Sequence, residues 1–271
     1  MMAEVKEGVK IDRLEFTFDI ADGAFPTFTE SKTPLEDCQE YFRGFGLEVT
    51  RGIKPFFYSA RIANDVIMLF SDRRITEKKG LPRIPCGKII VGHTISNTIP
   101  VTSVISRVKP LLPKFVQLRR ICRVDIASDK FIPFKEFMSN VAPLGIDSSF
   151  CSSDFSAIYR HAGRPGTYQF GNGDVVVRLY NKQAEQKTDF PWSRAEMQFR
   201  NDIIRHTGNV PTDASCLDSI LQLVSHGLDF FRPCEKYYET DRVSSVVSSY
   251  WLKLFSQLSD PGRLRRNVYY V

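Results

Sequence analysis

The chain has 271 residues, 42% hydrophobic and 25% charged, an ordinary composition for a soluble globular protein with one sizeable core or two smaller ones. No apolar run approaches the ~18 residues of a membrane span, and the start, Met-Met-Ala-Glu-Val-Lys-Glu, lacks the apolar centre of a secretory signal, so no membrane association and a cytoplasmic, bacterial location are expected. The formal net charge of +6 suits a polyanionic partner, while six cysteines without a Cys-x-x-Cys pair and four scattered histidines offer neither a zinc site nor a disulfide framework.

Ile11-Asp-Arg-Leu-Glu-Phe-Thr-Phe-Asp19 alternates as a strand with one buried face does, Leu14, Phe16 and Phe18 on one side and Arg13, Glu15, Thr17 and Asp19 on the other. Thr33-Pro-Leu-Glu36 is a capping box with proline at the first helical position, opening a helix that ends at Gly44 or Gly46. Residues 55–65 and 66–70 read as a hairpin and 88–93 as a further strand. Residues 101–109 read as a short helix stopped by Pro110 and Pro113.

The pattern then recurs. Ile121-Cys-Arg-Val-Asp-Ile-Ala-Ser-Asp129 matches the first strand, and the shift of 110 residues that carries Ile11 onto Ile121 also carries Phe70 onto Tyr180. Phe134, Phe137, Met138 and Val141 mark an amphipathic helix, and 166–180 a second hairpin turned at Asn172-Gly173. Ser193 to Arg200 reads either as a helix with Ala195, Phe199 and Ile203 as its stripe or as a strand with Ala195, Met197 and Phe199 facing inward, and the clean alternation favours the strand. The expected fold class is α+β: internally duplicated antiparallel β-sheet halves, 1–110 and 111–208, with helices packed on one face. A helical C-terminal segment, 209–271, follows. Its helices run over Asp213 to Leu228 and Ser244 to Leu258, the latter with Val247, Trp251 and Leu254 as its stripe. The end, Gly262-Arg-Leu-Arg-Arg-Asn-Val-Tyr-Tyr-Val271, suits either nucleic-acid contact or a docked terminal segment.

With period two, Val175, Val177 and Leu179 point one way while Arg178, Tyr180 and Lys182 point the other. If the second-half strands pair in one sheet, the polar face collects Tyr180, Arg178, Lys182, Arg123, Asp125, Asp129, Arg194, Glu196 and Arg200. Nucleophile, carboxylates and cations together are the parts of phosphodiester transfer. Carboxylates bind Mg²⁺ or Mn²⁺, tyrosinate attacks phosphorus, and cations hold the charge of the transition state. Neighbouring positive charge favours a phenolate. The competing reading is a solvated face of cross-strand ion pairs, each worth little.

Arg123-Val-Asp125-Ile-Ala-Ser-Asp129, Val177-Arg-Leu-Tyr180-Asn-Lys182-Gln-Ala-Glu185 and Arg194-Ala-Glu196-Met-Gln-Phe-Arg200 resemble the three successive motifs of the Rep_trans family. That family comprises rolling-circle replication initiators of Gram-positive plasmids and related relaxases of conjugative elements. The resemblance implies Tyr180 as the nicking tyrosine, with Lys182 and Arg178 beside it. It implies Asp125, Glu196 and Asp129 as ligands of Mg²⁺ or Mn²⁺, and Arg123, Arg194 and Arg200 as DNA contacts. It further implies an origin DNA partner with a single-stranded or cruciform nick site, host helicase and polymerase, and a possible homodimer.

Three functions follow from this. The first is a replication initiator that joins the 5′ phosphate to Tyr180 and leaves a 3′-OH primer, and the second is a conjugative relaxase with the same chemistry. The third is a non-catalytic nucleic-acid-binding protein, disfavoured because sheet platforms expose aromatics and this face is mainly charged. Only ten residues precede the first strand, which leaves no place for the extra N-terminal domain of many relaxases and favours the initiator.

Overall fold

The computed structural model describes residues 8–20, 39–40, 42–52, 56, 58–63, 66–70, 86–92, 103–114, 116–144, 155–156, 166–171, 173–200, 202–205, 212–238 and 244–256. The capping box at Thr33 to Glu36, the turn residue Asn172 and the basic end 262–271 lie outside them. The chain is α+β, built on antiparallel sheet, and divides into two compact units. One holds the described residues of Asp12–Val124 and Arg205–Leu217, the other those of Met1–Ile11, Asp125–Ile204 and Asp218–Val271.

In the first half of the chain the strands are β1 (Gly8–Ile20), β2 (Glu48–Arg51), β3 (Tyr58–Ala63), β4 (Val66–Phe70) and β5 (Cys86–Val91), hydrogen-bonded in the order β2-β3-β4-β5-β1. In the second half they are β6 (Val116–Lys130), β7 (Phe155–Ser156), β8 (Thr167–Phe170), β9 (Val175–Asn181) and β10 (Ser193–Arg200), in the order β7-β8-β9-β10-β6. Each half therefore repeats one topology, the last strand inserted beside the first. The long β1 and β6 contribute residues to both units.

The register corrects one detail of the expected repeat. Leu69 lies opposite Lys88, whose Nζ reaches Glu15 at 3.2 Å, so Leu69 is on the polar face. Met68 lies opposite Ile89 and both are fully buried, which is the core face. The shift of 110 residues carries Met68 onto Arg178, which pairs with Glu196 on the polar face of β9, so that shift does not preserve the faces. A one-residue offset flips every side chain of a strand, and constant spacing in sequence does not guard against it. Gly87 admits no side chain, since its Cβ would lie 2.0 Å from the Leu69 carbonyl oxygen. Gly87→Ala is expected to destabilise the fold by about 1–3 kcal/mol, read as a lowered urea midpoint; an unchanged midpoint would contradict this strand register.

Helical residues 39–40 and 42–43 end in a turn in which Gly46 (φ 72°) donates to the Arg43 carbonyl, so the glycine stop falls where expected. Helix α1 (Val104–Val108) matches the expected short helix, and the Asp213 carboxylate accepts from the amides of Ile105 and Ser106 at its start.

The core of the C-terminal unit forms behind β9 and β10. Val177, Leu179, Ala195, Met197 and Phe199 are buried, and four further helices belong to this half: α2 (Phe134–Val141), α3 (Lys182–Gln186), α4 (Asp202–Arg205) and α5 (Asp213–Phe230). Gly227 of α5 lies so close that a Cβ would meet Met197 Sδ at 2.7 Å and the Phe199 ring at 2.8 Å. The final helix, α6 (Ser249–Leu254), packs Trp251 edge-on against Phe231 and Phe255.

The C-terminal segment is not helical throughout. Cys234–Tyr238 and Ser244–Val247 form a two-stranded ribbon, β11 and β12, where a helix was expected from Ser244. Val247, Trp251 and Leu254 have helical spacing, but the Ser248 side chain accepts from the Trp251 amide and starts the helix there, leaving Val246 and Val247 to extended backbone. No helix among the described residues is long and apolar enough to cross a membrane.

Candidate active site

Alternation along β10 sends Arg194, Glu196 and Gln198 to the face opposite the core, and the β9 register sets Tyr180 across from Arg194 and Arg178 across from Glu196. The Tyr180 hydroxyl donates to Glu196 Oε2 at 3.2 Å. Arg178 Nη1 donates to Glu196 Oε1 at 2.9 Å, and Arg178 Nε to Gln169 Oε1 at 3.0 Å. Glu196 is therefore shared between the phenol and a guanidinium.

The Tyr-x-Lys-x-x-Glu spacing has a local explanation. β9 ends at Asn181, whose side chain accepts from the Ala184 amide and caps α3. That turn brings Lys182 back over the strand end, its Nζ 5.6 Å from the Tyr180 ring centroid, where it also pairs with Glu185 three residues on.

Asp129 sits at the other end of the group and is fully buried. Arg194 clamps it with Nε to Oδ1 at 2.6 Å and Nη2 to Oδ2 at 3.0 Å, the Trp192 indole N–H donates at 2.9 Å, and Lys10 Nζ lies 2.6 Å from Oδ2. Burial pushes its pKa up, but the Arg194 hydrogen bond and charge, then Lys10, outweigh it and hold the carboxyl below its ordinary value. Asp125 accepts from Gln198 Nε2 at 3.1 Å on both oxygens, while Gln198 Oε1 is buried with no hydrogen-bond partner among the described residues.

These are not solvated surface pairs. Tyr180 is 8% exposed, Glu196 7%, Asp125 5% and Arg194 3%. Burying that many ionisable groups is costly unless they are paired, and here Tyr180, Arg178, Glu196, Asp129 and Arg194 are joined by hydrogen bonds and ion pairs. The solvated-face reading of the sequence is thereby set aside.

The chain shares its fold with a rolling-circle replication initiator. The solved structure of that initiator protein, from Geobacillus stearothermophilus, matches over 93% of this chain and 97% of its own, at a TM-score of 0.53 and 15% sequence identity. No family model matches the chain, and no curated protein matches it.

Of the residues expected from sequence, the structure brings Tyr180, Arg178, Lys182 and Glu196 into one group, with Asp129 and Arg194 as a buried pair joined to it through β9–β10 pairing. Arg123 belongs to the other unit, where it lies 3.8 Å from Glu15, which Arg13 and Lys88 also hold. Arg200 closes β10, its amide donating to the Asp174 carbonyl. Among the described residues no three His, Cys, Asp or Glu side chains are grouped so as to hold a metal ion. Lys10, Gln169, Trp192 and Gln198 were missed as site residues. Continuing the β10 alternation one step back to Trp192 would have found one of them; Lys10 and Gln169 carry no local signal. Burial pushes the Cys122 and Cys216 thiols up to about 11 and about 12, which removes both as nucleophiles near neutral pH.

Proposed function

We propose that this chain is a DNA nicking-closing enzyme of the rolling-circle initiator type, with Tyr180 as nucleophile. The observation that carries the proposal is the buried Tyr180–Glu196–Arg178 array on the sheet face, with Lys182 over the phenol ring; the shared fold is consistent with it.

In the proposed reaction the Tyr180 oxygen attacks a backbone phosphorus and the P–O3′ bond breaks. The 5′ phosphate passes to the tyrosine, and the leaving 3′ oxygen is protonated to a free hydroxyl. The phenolic proton goes to Glu196 Oε2, which already accepts that hydrogen bond at the outer limit of productive reach. Arg178 and Lys182 offset the negative charge that gathers on the phosphoryl oxygens. Closing is the reverse: a 3′ hydroxyl attacks the phosphotyrosine and returns the proton through the same carboxylate. The 3′ hydroxyl would prime a polymerase advancing behind a helicase.

A divalent cation, Mg²⁺ or Mn²⁺, fits part of the expected ligand set. Magnesium sites use one or two carboxylates completed by waters and substrate phosphate. Asp125, with the Gln198 oxygen that is unpaired among the described residues on the same face, would hold it, Glu196 being taken up by Tyr180 and Arg178, and it would supply charge neutralisation at the scissile phosphate. Asp129 does not suit a ligand role, because Arg194, Trp192 and Lys10 already occupy its oxygens. It and Arg194 are proposed as positioning residues for the strand ends that carry Tyr180.

The test is incubation with a supercoiled plasmid carrying the chain's own gene and flanking DNA, with Mg²⁺ or Mn²⁺. A site-specific nick is expected, its 5′ end blocked by protein. Glu196→Gln should lower the nicking rate by about 10²–10⁴-fold, the range for loss of a general base, with the fold intact by circular dichroism. Nicking by Glu196→Gln at the wild-type rate would contradict the base role assigned to that carboxylate.

A further inference from the structure

Phe190 is 39% exposed, yet its ring stacks on Trp192, with centroids 5.8 Å apart and planes at 18°. Phe131 closes the shelf edge-on, 5.4 Å from Phe190 and 6.3 Å from Trp192. The segment is held in place at several points. The Gln183 amide donates to the Trp192 carbonyl at 2.9 Å, the Thr188 hydroxyl donates to the Phe190 carbonyl at 3.2 Å, and the Trp192 indole donates to buried Asp129. A single exposed aromatic is ordinary on a protein surface. This one is backed by a second ring, fixed by hydrogen bonds and surrounded by charge. Lys10 and Lys182 each lie 6.0 Å from the Trp192 centroid and Arg194 lies 5.8 Å from it. Lys182 also faces the Tyr180 ring, so the shelf adjoins the nucleophile.

We infer that Phe190, backed by Trp192, is a stacking platform for an unpaired base of the strand that Tyr180 attacks. The inference rests on the reading of this face as a DNA-handling site and adds the residue that holds an unpaired base there. A nucleobase within a duplex has both faces covered by its neighbours, whereas an unpaired base offers a free π-face to an aromatic ring. Stacking of this kind tolerates any base, and nearby cations track the phosphates. Phe190 supplies the open ring, and Lys182 places it beside Tyr180. The platform would hold the single-stranded segment beside Tyr180 while leaving sequence recognition to other parts of the chain.

The experiment compares binding of a short oligodeoxythymidylate and of a duplex of the same length to the full chain. The variants are Phe190→Ala, Phe190→Leu and Phe190→Tyr. Stacking of one base predicts that Phe190→Ala weakens single-strand binding by roughly 5- to 100-fold and leaves duplex binding within about twofold. Phe190→Tyr should bind as wild type and Phe190→Leu as poorly as alanine. Wild-type single-strand affinity in Phe190→Ala, rescue by leucine, or an equal loss on duplex would each overturn the platform. Its fate separates from that of the nicking proposal. Phe190-dependent single-strand binding in a chain that never nicks DNA keeps the platform and sinks the chemistry, whereas nicking with Phe190-independent binding does the reverse.

Discussion

Tyr180→Phe is expected to lower DNA nicking by about 10⁴-fold or more and to eliminate the covalent protein–DNA adduct. The substitution removes one hydroxyl, and no other described group takes its place. Both described free thiols are held protonated by burial. The ring still packs under Lys182, and Glu196 keeps its Arg178 partner, so the loss in stability should be about 1 kcal/mol, one hydrogen bond. DNA binding should persist. The check is a denaturing gel with end-labelled DNA: an adduct that survives in Tyr180→Phe would move the nucleophile to another residue.

Asp129→Asn carries the largest expected cost in stability. Arg194 is 3% exposed and Lys10 is mostly covered, and both pair with this one carboxylate. Removing its charge leaves two cations in a poorly solvated place, a change that typically costs about 3–5 kcal/mol. The pH dependence follows from the lowered carboxyl pKa, set by Arg194 and Lys10 against burial. The unfolded chain takes up the proton first, so the stabilisation is complete above the unfolded value near ~3.9 and is lost as pH falls through the lower folded value. The difference between wild type and Asp129→Asn, measured by urea denaturation, should be constant around neutral pH and shrink below about pH 4. A difference under about 1 kcal/mol at neutral pH, or one that ignores acid, would contradict the clamp.

What could be read from the sequence was what depends on near neighbours. Alternation along β9 and β10 put Tyr180, Arg178 and Glu196 on one face because side chains in a strand repeat every second residue, whatever the tertiary context. The strand that follows each hairpin was equally legible. Pairings between distant strands were not: Asp129 and Arg194 are 65 residues apart, and nothing local says that they meet. Lys10 and Gln169 belong to the same class, each set by a neighbour strand's register. The shift of 110 residues failed to carry buried Met68 onto a buried partner for the same reason, since a repeat in sequence fixes order but not the parity of pairing. At the C-terminus a helical stripe of Val247, Trp251 and Leu254 misled because Ser248 offered a cap that competes with helix continuation. Asp129 drew a ligand role from its motif position, and its charge partners Arg194 and Lys10, distant in sequence, are invisible in one dimension.

The most direct measurement of the central claim is the chemical identity of the residue that holds DNA. The chain is incubated with a supercoiled plasmid bearing its own gene and Mg²⁺, the DNA is digested to nucleotides, and the tryptic peptides are weighed. Cleavage after Arg178 and Lys182 isolates Leu-Tyr-Asn-Lys, residues 179–182. The account predicts that this peptide carries the added mass of a nucleotide joined through a phosphate to Tyr180. The same mass on a peptide containing another tyrosine, or a nicked plasmid whose 5′ phosphate is free, would contradict it.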